Sequence, residues 1–315
     1  MSNYRKEECN RKYVIVSEKR VEKPYDFNIG EEKNDVSYKE DCPFCPGNES
    51  QSDNSVYEIK DPWQVRVIPN KYPCIENYTK QGQNVFGYHY VVVESREHNK
   101  KIHEFKEDEI EKIIKSYIDI SNKLYKDDNV KYIQIFKNYK REGGASLAHP
   151  HSQIIALNIM PEKIKHMLDY NHNFYVNKSE CIYCKTIREE LKNNIRLIYE
   201  NDKFICFCPE ASIFSYEITI IKKDHVQFLN FTEEDITSLC QCIFKIINKI
   251  YSKLGDIALN ICLYFIKEEN DYFHFSVGIY PRIASLAGFE ISTGIIQNPI
   301  SPEKAAKELK IEQEE

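Results

Sequence analysis

Gly143-Gly144-Ala145-Ser146-Leu147-Ala148-His149-Pro150-His151-Ser152-Gln153 is the stretch on which the reading of this 315-residue chain turns. Side chains alternate between the faces of a β-strand, so a strand here aims His149, His151 and Gln153 the same way. Pro150 has no amide hydrogen and confines the segment to a strand start or to an edge with one open side, where a ligand could approach. One isolated histidine of this kind is more often an interior residue satisfied by a backbone carbonyl. Two in register, after a Gly-Gly-Ala-Ser turn, point to a candidate metal ligand beside a candidate nucleophile.

The chain holds eleven cysteines, and two tight pairs stand out: Cys42-Pro43-Phe44-Cys45 and Cys181-Ile182-Tyr183-Cys184. In a reducing compartment paired thiols hold metal more often than they form disulfides. The pairs are far more than the roughly 15–20 residues of a zinc ribbon apart, so each needs its own partners. Aligning the halves supplies them. Cys45 to His98 is 53 residues and His98 to His149 is 51; Cys184 to His225 is 41 and His225 to His274 is 49.

The flanking sequence repeats in the same order. Val65 to Pro69 matches Ile205 to Pro209, and Tyr90 to Val93 matches Ile218 to Ile221. Each histidine is then followed by an amphipathic helix, with Ile110, Ile113, Ile114, Tyr117 and Leu124 at helical spacing in the first half and Ile236, Leu239, Cys240, Ile243, Ile247 and Ile250 in the second. Thr232 to Asp235 reads as a capping box. β-rich runs, Tyr132 to Phe136 and Leu259 to Ile266, lead into His149 and His274. The pattern is an internal duplication, with a polar insertion near Glu76 to Asn84 in the first half. Each half offers two cysteines and two histidines, a set that suits tetrahedral zinc with sulfur at about 2.3 Å and nitrogen at about 2.0–2.1 Å. With all four positions filled by protein, no water is left to attack, and both sites read as structural. For the second, ordinary interior histidines compete more strongly than for the first, because no glycine-rich loop precedes His274.

Composition sets the outer limits. The net charge of −6 supplies no domain-wide basic excess for nucleic acid, and no apolar run approaches the ~18 residues of a membrane span. Met1 to Lys6 lacks the apolar core of an export signal, so the expected location is the cytoplasm.

Cys42-Pro43-Phe44-Cys45-Pro46-Gly47-Asn48-Glu49, Trp63-Gln64-Val65-Arg66-Val67-Ile68-Pro69-Asn70, Phe136-Lys137-Asn138 and the His149 to Gln153 block together resemble the galactose-1-phosphate uridylyltransferase family of the histidine-triad superfamily. Ala287-Gly288-Phe289-Glu290, Thr293-Gly294 and Asn298-Pro299 resemble its ADP-glucose phosphorylase-like branch. The resemblance implies an α+β chain with a duplicated histidine-triad-like fold, two antiparallel sheets with packed helices. Residues 1–165 would form an N-terminal domain with the nucleophile and one zinc site, and residues 166–315 a C-terminal domain with the second zinc site and a sugar-contacting segment.

It also implies a nucleotidyltransferase. His151 would attack the α-phosphorus of a nucleotide sugar, form a covalent nucleotidyl-histidine and pass the nucleotide to a sugar 1-phosphate or to phosphate. Gln153, Ser146, Asn138 and the amides near Gly143 and Gly144 would donate to phosphoryl oxygens, although turn chemistry alone explains Asn138, Ser146 and the glycines as well. By the same resemblance the metal ligands are Cys42, Cys45, His98 and His149 in one zinc site and Cys181, Cys184, His225 and His274 in the other. Arg20 would face the phosphates, Asn70 the ribose, and Phe289 and Glu290 the sugar. Lys23 and Lys71 depart from the family pattern, and His274-Phe275-Ser276-Val277-Gly278 offers no second nucleophile of this kind. Uridylyl transfer to galactose 1-phosphate is the default; the alternatives are an ADP-sugar phosphorylase, a histidine-triad hydrolase or a non-catalytic zinc-stabilised nucleotide-binding homologue. Family members are commonly homodimers, and nothing in the sequence bears on that.

Overall fold

A computed structural model describes residues 2–7, 12–17, 36–60, 62–76, 85–285 and 287–312, so Arg20, Lys23 and most of the polar insertion lie outside the described residues. At the start of the chain β1 (Ser2–Glu7) and β2 (Lys12–Ser17) pair as an antiparallel hairpin. Two compact units follow from the contacts, the first made of Met1–Lys101, Lys112–Lys137 and Ala145–Glu162 and the second of Ile102–Glu111, Asn138–Gly144 and Lys163–Glu315. Segments 102–111 and 138–144 thus belong with the second unit, which a single cut near residue 165 does not express.

Elements of the first half are β3 (Tyr57–Ile59), β4 (Val65–Pro69), β5 (Gly87–Val93), α1 (Glu107–Leu124), β6 (Tyr132–Tyr139) and β7 (His151–Leu157). The second half contains α2 (Glu162–Lys178), α3 (Ile182–Asn193), β8 (Leu197–Glu200), β9 (Phe204–Phe207), β10 (Ile218–Lys222), α4 (Glu233–Leu254), β11 (Leu259–Tyr264), β12 (Ser276–Pro281), α5 (Gly288–Thr293) and α6 (Pro302–Leu309). Strand order is β3-β4-β5-β7-β6 in the first half and β8-β9-β10-β12-β11 in the second, antiparallel throughout. The duplication legible in the sequence is therefore a duplication of topology: α1 follows β5 as α4 follows β10, and the histidine-bearing loops precede β7 and β12.

Pro150 acts as a strand start. β7 begins one residue after it and is paired on both sides, to β5 and to β6. The open-edge alternative does not occur, because the missing donor falls just outside the ladder while the Pro150 carbonyl still accepts from Glu94 N–H at 3.1 Å. Alternation then separates the two faces of β4, β5 and β7. Ile68, Val91, Val93, His151 and Gln153 share one face, and Val91 stands directly opposite both Ile68 and Gln153. Ser152 and Glu94 belong to the other face, where the Tyr117 hydroxyl of α1 meets Ser152 Oγ at 2.7 Å and Glu94 Oε1 at 3.2 Å.

In the second unit α3 lays Ile187 and Leu191 on Leu197, Ile205, Phe207 and Ile221. Helix α4 starts at the expected capping box, with Thr232 Oγ1 accepting from Asp235 N–H at 3.2 Å and the Asp235 carboxylate accepting from Thr232 N–H at 3.0 Å. Its 22 residues bury Ile236, Leu239, Cys240, Ile243, Ile246, Ile247 and Ile250 along one face, the stripe that the 3.6-residue period requires.

Candidate active site and metal centres

A cleft of about 610 Å³, open mouth included, lies on the His151 face of the first sheet. His151, Gln153, Ser146 and Asn70 line it together with Lys71 and the apolar wall of Phe44 and Ile68. Four of the expected site residues are thus brought to one place, His151 and Gln153 by β7, Ser146 by the loop before it and Asn70 by the end of β4. His151 is buried, and its ring packs 5.5 Å from that of Phe44. Its Nδ1 lies 2.8 Å from the His149 carbonyl oxygen. A carbonyl can only accept, so the ring proton sits on Nδ1 and the lone pair on Nε2. That tautomer is the one a nucleophile needs.

Behind the nucleophile is a buried polar frame that periodicity does not reveal. Lys137 on β6 forms an ion pair with Glu94, and its Nζ also reaches the His151 carbonyl at 3.4 Å. The two charges neutralise each other away from water and hold the first peptide of β7 from the face opposite the cleft. His89 on β5, which no sequence pattern singled out, lies in the site as well. Its Nε2 is 2.9 Å from Gln153 Oε1 and 3.0 Å from Asn70 Nδ2. The only signal that could have found it is strand alternation, which places it on the same face as Val91.

The other expected substrate-binding residues fall elsewhere. Asn138 Oδ1 and the Gly143 carbonyl both accept from Asn260 Nδ2, at 2.8 and 2.6 Å, so the turn that precedes His149 is fastened to β11. Gly144 needs its glycine for a φ of +88°. At Gly143 a Cβ would stand 2.3 Å from the Tyr139 carbonyl oxygen and 2.9 Å from that of Leu259. Gly143→Ala is therefore expected to cost about 1–3 kcal/mol in overpacking, read as a lower denaturant midpoint with an unchanged slope. Phe289 and Glu290 lie on α5, Phe289 half exposed. Glu290 caps its own helix by accepting from Ala287 N–H at 3.1 Å and lines a small cleft with Phe214, Ser215 and Asn298.

Both Cys/His quartets converge, including the second, where interior histidines compete more strongly than in the first. Cys42, Cys45, His98 and His149 place their ligand atoms within 4.8 Å of one another, and so do Cys181, Cys184, His225 and His274. In the first, Cys45 Sγ lies 3.5 Å from His98 Nδ1 and 3.6 Å from His149 Nδ1, and Cys42 Sγ lies 3.8 Å from His149 Nδ1. A tetrahedron with arms of about 2.3 Å for sulfur and about 2.05 Å for nitrogen has S···N edges of roughly 3.6 Å. In the second, Cys184 Sγ lies 3.5 Å from His225 Nε2 and 3.4 Å from His274 Nε2, and these two nitrogens are 3.3 Å apart. The corresponding N···N edge is roughly 3.3 Å.

The outer hydrogen bonds set the tautomers. His149 Nε2 donates to the Ser95 carbonyl at 2.8 Å and His274 Nδ1 to the Lys222 carbonyl at 2.7 Å, which turns the lone pair of each ring toward the cysteines. Burial favours the neutral rings further, pushing the pKa of His149 down to about 3 and that of His274 down to about 4. Without a cation, the same burial raises the thiols of Cys42 and Cys184. Ring lone pairs aimed at thiols at tetrahedral edge lengths fit a metal ion, which would take the place of the thiol protons. The first centre also supports the cleft, because Cys42, Phe44 and Cys45 form one apolar cluster with Ile68, Val91 and Val93.

The second half has no equivalent cleft chemistry. By strand register Ser276 and Gly278 occupy the places of His151 and Gln153. The space a side chain at Gly278 would need holds the Tyr280 hydroxyl, 2.2 Å from an ideal Cβ and 2.9 Å from the Tyr264 hydroxyl. Two tyrosines have filled the second copy.

Comparison with known proteins follows this geometry closely. The galactose-1-phosphate uridyl transferase N-terminal domain profile matches residues 1–161, and a domain of unknown function (DUF4921) matches residues 84–314. The ADP-glucose phosphorylase of Arabidopsis thaliana is 29% identical over 97% of this chain and 92% of its own length. The galactose-1-phosphate uridylyltransferase of Thermotoga maritima is also 29% identical, over 86% of this chain and 89% of its own. A crystal structure of the Arabidopsis thaliana ADP-glucose phosphorylase with bound ADP-glucose superposes with a TM-score of 0.78, covering 99% of this chain and 100% of the other. The expected duplicated α+β fold is the fold of these relatives. With the profile spanning just over half of the sequence and the fold matched from end to end, the chain belongs to the galactose-1-phosphate uridyl transferase family.

Proposed function

We propose that the protein is a nucleotidyltransferase that moves a nucleoside monophosphate from a nucleotide sugar to a phosphate-bearing acceptor through His151. The observation that carries this reading is the His151 ring itself: buried in the wall of a cleft, Nδ1–H tied to the His149 carbonyl, lone pair on Nε2. In the first step Nε2 forms a bond to the α-phosphorus and the bond to the sugar 1-phosphate breaks, its electron pair leaving with a phosphate oxygen. Such a leaving group is a stable anion and needs no proton, which suits a site whose neighbouring residue is Gln153, an amide unable to act as an acid. Positive charge growing on the imidazole is met by the His149 carbonyl dipole. In the second step an acceptor phosphate oxygen attacks the same phosphorus, and the imidazole leaves as the neutral ring it was. Gln153 and Ser146 donate to the phosphoryl oxygens, and Asn70 contacts the ribose.

Zinc is the ion that the Cys2His2 donor sets suit, one in each unit. When bound, it supplies structural closure. His149 is then both a ligand and the residue whose carbonyl orients His151, so the metal centre and the nucleophile share one peptide.

UDP-glucose with galactose 1-phosphate is the default substrate pair. A second reading, ADP-glucose with orthophosphate, draws support from the Arabidopsis thaliana relative, which matches nearly the whole chain. The test is a panel of both nucleotide sugars with each acceptor. Sugar 1-phosphate release that exchanges label only when the enzyme and the matching nucleotide are present is expected. Free nucleotide formed without any acceptor would indicate a hydrolase instead, and no turnover with either pair would indicate a binding protein.

A further inference from the structure

We infer that His89 is a positioning residue that fixes which end of the Gln153 amide faces the reacting phosphoryl group. The inference rests on the nucleotidyl-histidine reading above and adds to it a residue outside the stretches of sequence quoted for that reading. The argument is one of proton bookkeeping around a single ring. Cys74 N–H points at His89 Nδ1 at 3.1 Å, and a backbone amide can only donate, so Nδ1 is the acceptor. In the neutral ring the one proton therefore sits on Nε2. It can be given to only one neighbour, and Gln153 Oε1 at 2.9 Å is the acceptor among the two. Asn70 Nδ2, 3.0 Å away, is itself a donor and cannot take that proton, and the Asn70 oxygen is engaged by Tyr72 N–H at 2.9 Å, so in this tautomer the ring and Asn70 are in contact without a hydrogen bond.

Strand register explains how His89 reaches Gln153. His89 stands directly opposite Ile155 on β7, and Gln153 is its diagonal neighbour two residues along, on the same face. His89 is buried and its backbone carbonyl accepts from Asn70 N–H at 2.8 Å, so the ring has little room to turn.

The consequence is directional. An amide whose oxygen is held by His89 can present only its NH2 group to the cleft that it lines with His151. Rotated by half a turn, the same amide would place a carbonyl oxygen against an anionic phosphoryl group and repel it. Losing one oriented donor at a developing charge typically slows a reaction by about 10²–10³-fold. An unheld amide still samples the correct rotamer, so removal of His89 is expected to cost less, on the order of 10–100-fold.

The experiment is single-turnover formation of the nucleotide adduct, with UDP-glucose and ADP-glucose labelled in the α-phosphate, on wild type, His89→Phe, His89→Gln, His89→Asn, Gln153→Ala and the His89→Phe/Gln153→Ala double variant. Expected is slower adduct formation in His89→Phe with nucleotide-sugar affinity nearly unchanged, and a double variant no slower than Gln153→Ala alone, because the two residues act through one bond. Glutamine at position 89 carries a donor where Nε2 stood and should restore most of the rate; asparagine, whose amide reaches only the Nδ1 position, should not. Multiplying losses in the double variant, or equal behaviour of the Gln and Asn variants, would overturn the assignment, as would a His89→Phe rate equal to wild type. Absence of any adduct in the wild type would instead remove the nucleotidyl-histidine reading on which this one rests.

Discussion

His151→Ala is expected to lower nucleotide exchange by at least about a thousandfold while leaving the fold and the metal content in place. The size follows from what is removed. Every other group in the cleft can orient or polarise a phosphate, but only this imidazole has a lone pair placed by its own hydrogen bond for attack. The selectivity follows from position: His151 is not one of the eight ligand residues, and its ring meets the first centre through the His149 backbone carbonyl and by packing on Phe44, not through a ligand atom. Truncating a buried side chain costs stability too, so adduct formation must be read beside thermal unfolding and metal stoichiometry. Exchange that survives in a folded, metal-loaded His151→Ala protein would remove His151 from the mechanism.

How far the sequence could lead to this site depends on whether each contact is local or crosses the sheet. The CxxC pairs, the spacing to His98 and His149 and its echo at His225 and His274 are features of order along the chain, and the quartets they predict assemble. Helix α4 was legible down to its cap, because a capping box is written within four residues. His274 was underrated for a local reason, the missing glycine-rich loop, although the second quartet does not need one.

Long-range partners were the part not legible. The resemblance offers Asn138 and the amides near Gly143 as phosphate donors and turn chemistry offers the alternative; neither reveals that the Asn138 and Gly143 oxygens accept from Asn260, 122 residues from Asn138. Lys137 sits in the motif Phe136-Lys137-Asn138, but its partner Glu94 is 43 residues away, just past the end of β5. His89 had no pattern at all, since a diagonal contact between β5 and β7 depends on register, and a slip of one residue would put it on the opposite face. Tyr264 and Tyr280 close the second copy by the same kind of cross-strand meeting, although Ser276 and Gly278 in the places of His151 and Gln153 are visible from the duplication.

Loss of the first metal is expected to be the most destabilising single event available to this protein. Cys45 is the atom through which it can be produced, since its Sγ stands within 3.6 Å of both ring nitrogens and is fully buried. Cys45→Ser replaces a thiolate ligand by a hydroxyl of little zinc affinity, and binding worth roughly 10–16 kcal/mol in small zinc domains is folding free energy. Here the cluster of Cys42, Phe44, Ile68, Val91 and Val93 would persist in part, so a drop of several kcal/mol is expected rather than the whole. Thermal unfolding of the variant, with metal counted per chain, reads it. Chelation of the wild type should reproduce the loss and return of metal should reverse it, whereas a chelated protein with unchanged unfolding temperature and exchange rate would separate the centre from both roles. Acid acts on the same ligands. His149 holds its pKa near 3 in the folded protein against 6.5 when unfolded. Above pH 6.5 neither state takes the proton; as the pH falls from 6.5 toward 3 the unfolded chain binds it first, and stability is lost across that window. Unfolding and metal release should therefore rise together on acidification, and exchange activity should fall with them, because the carbonyl that aims His151 belongs to the residue being released.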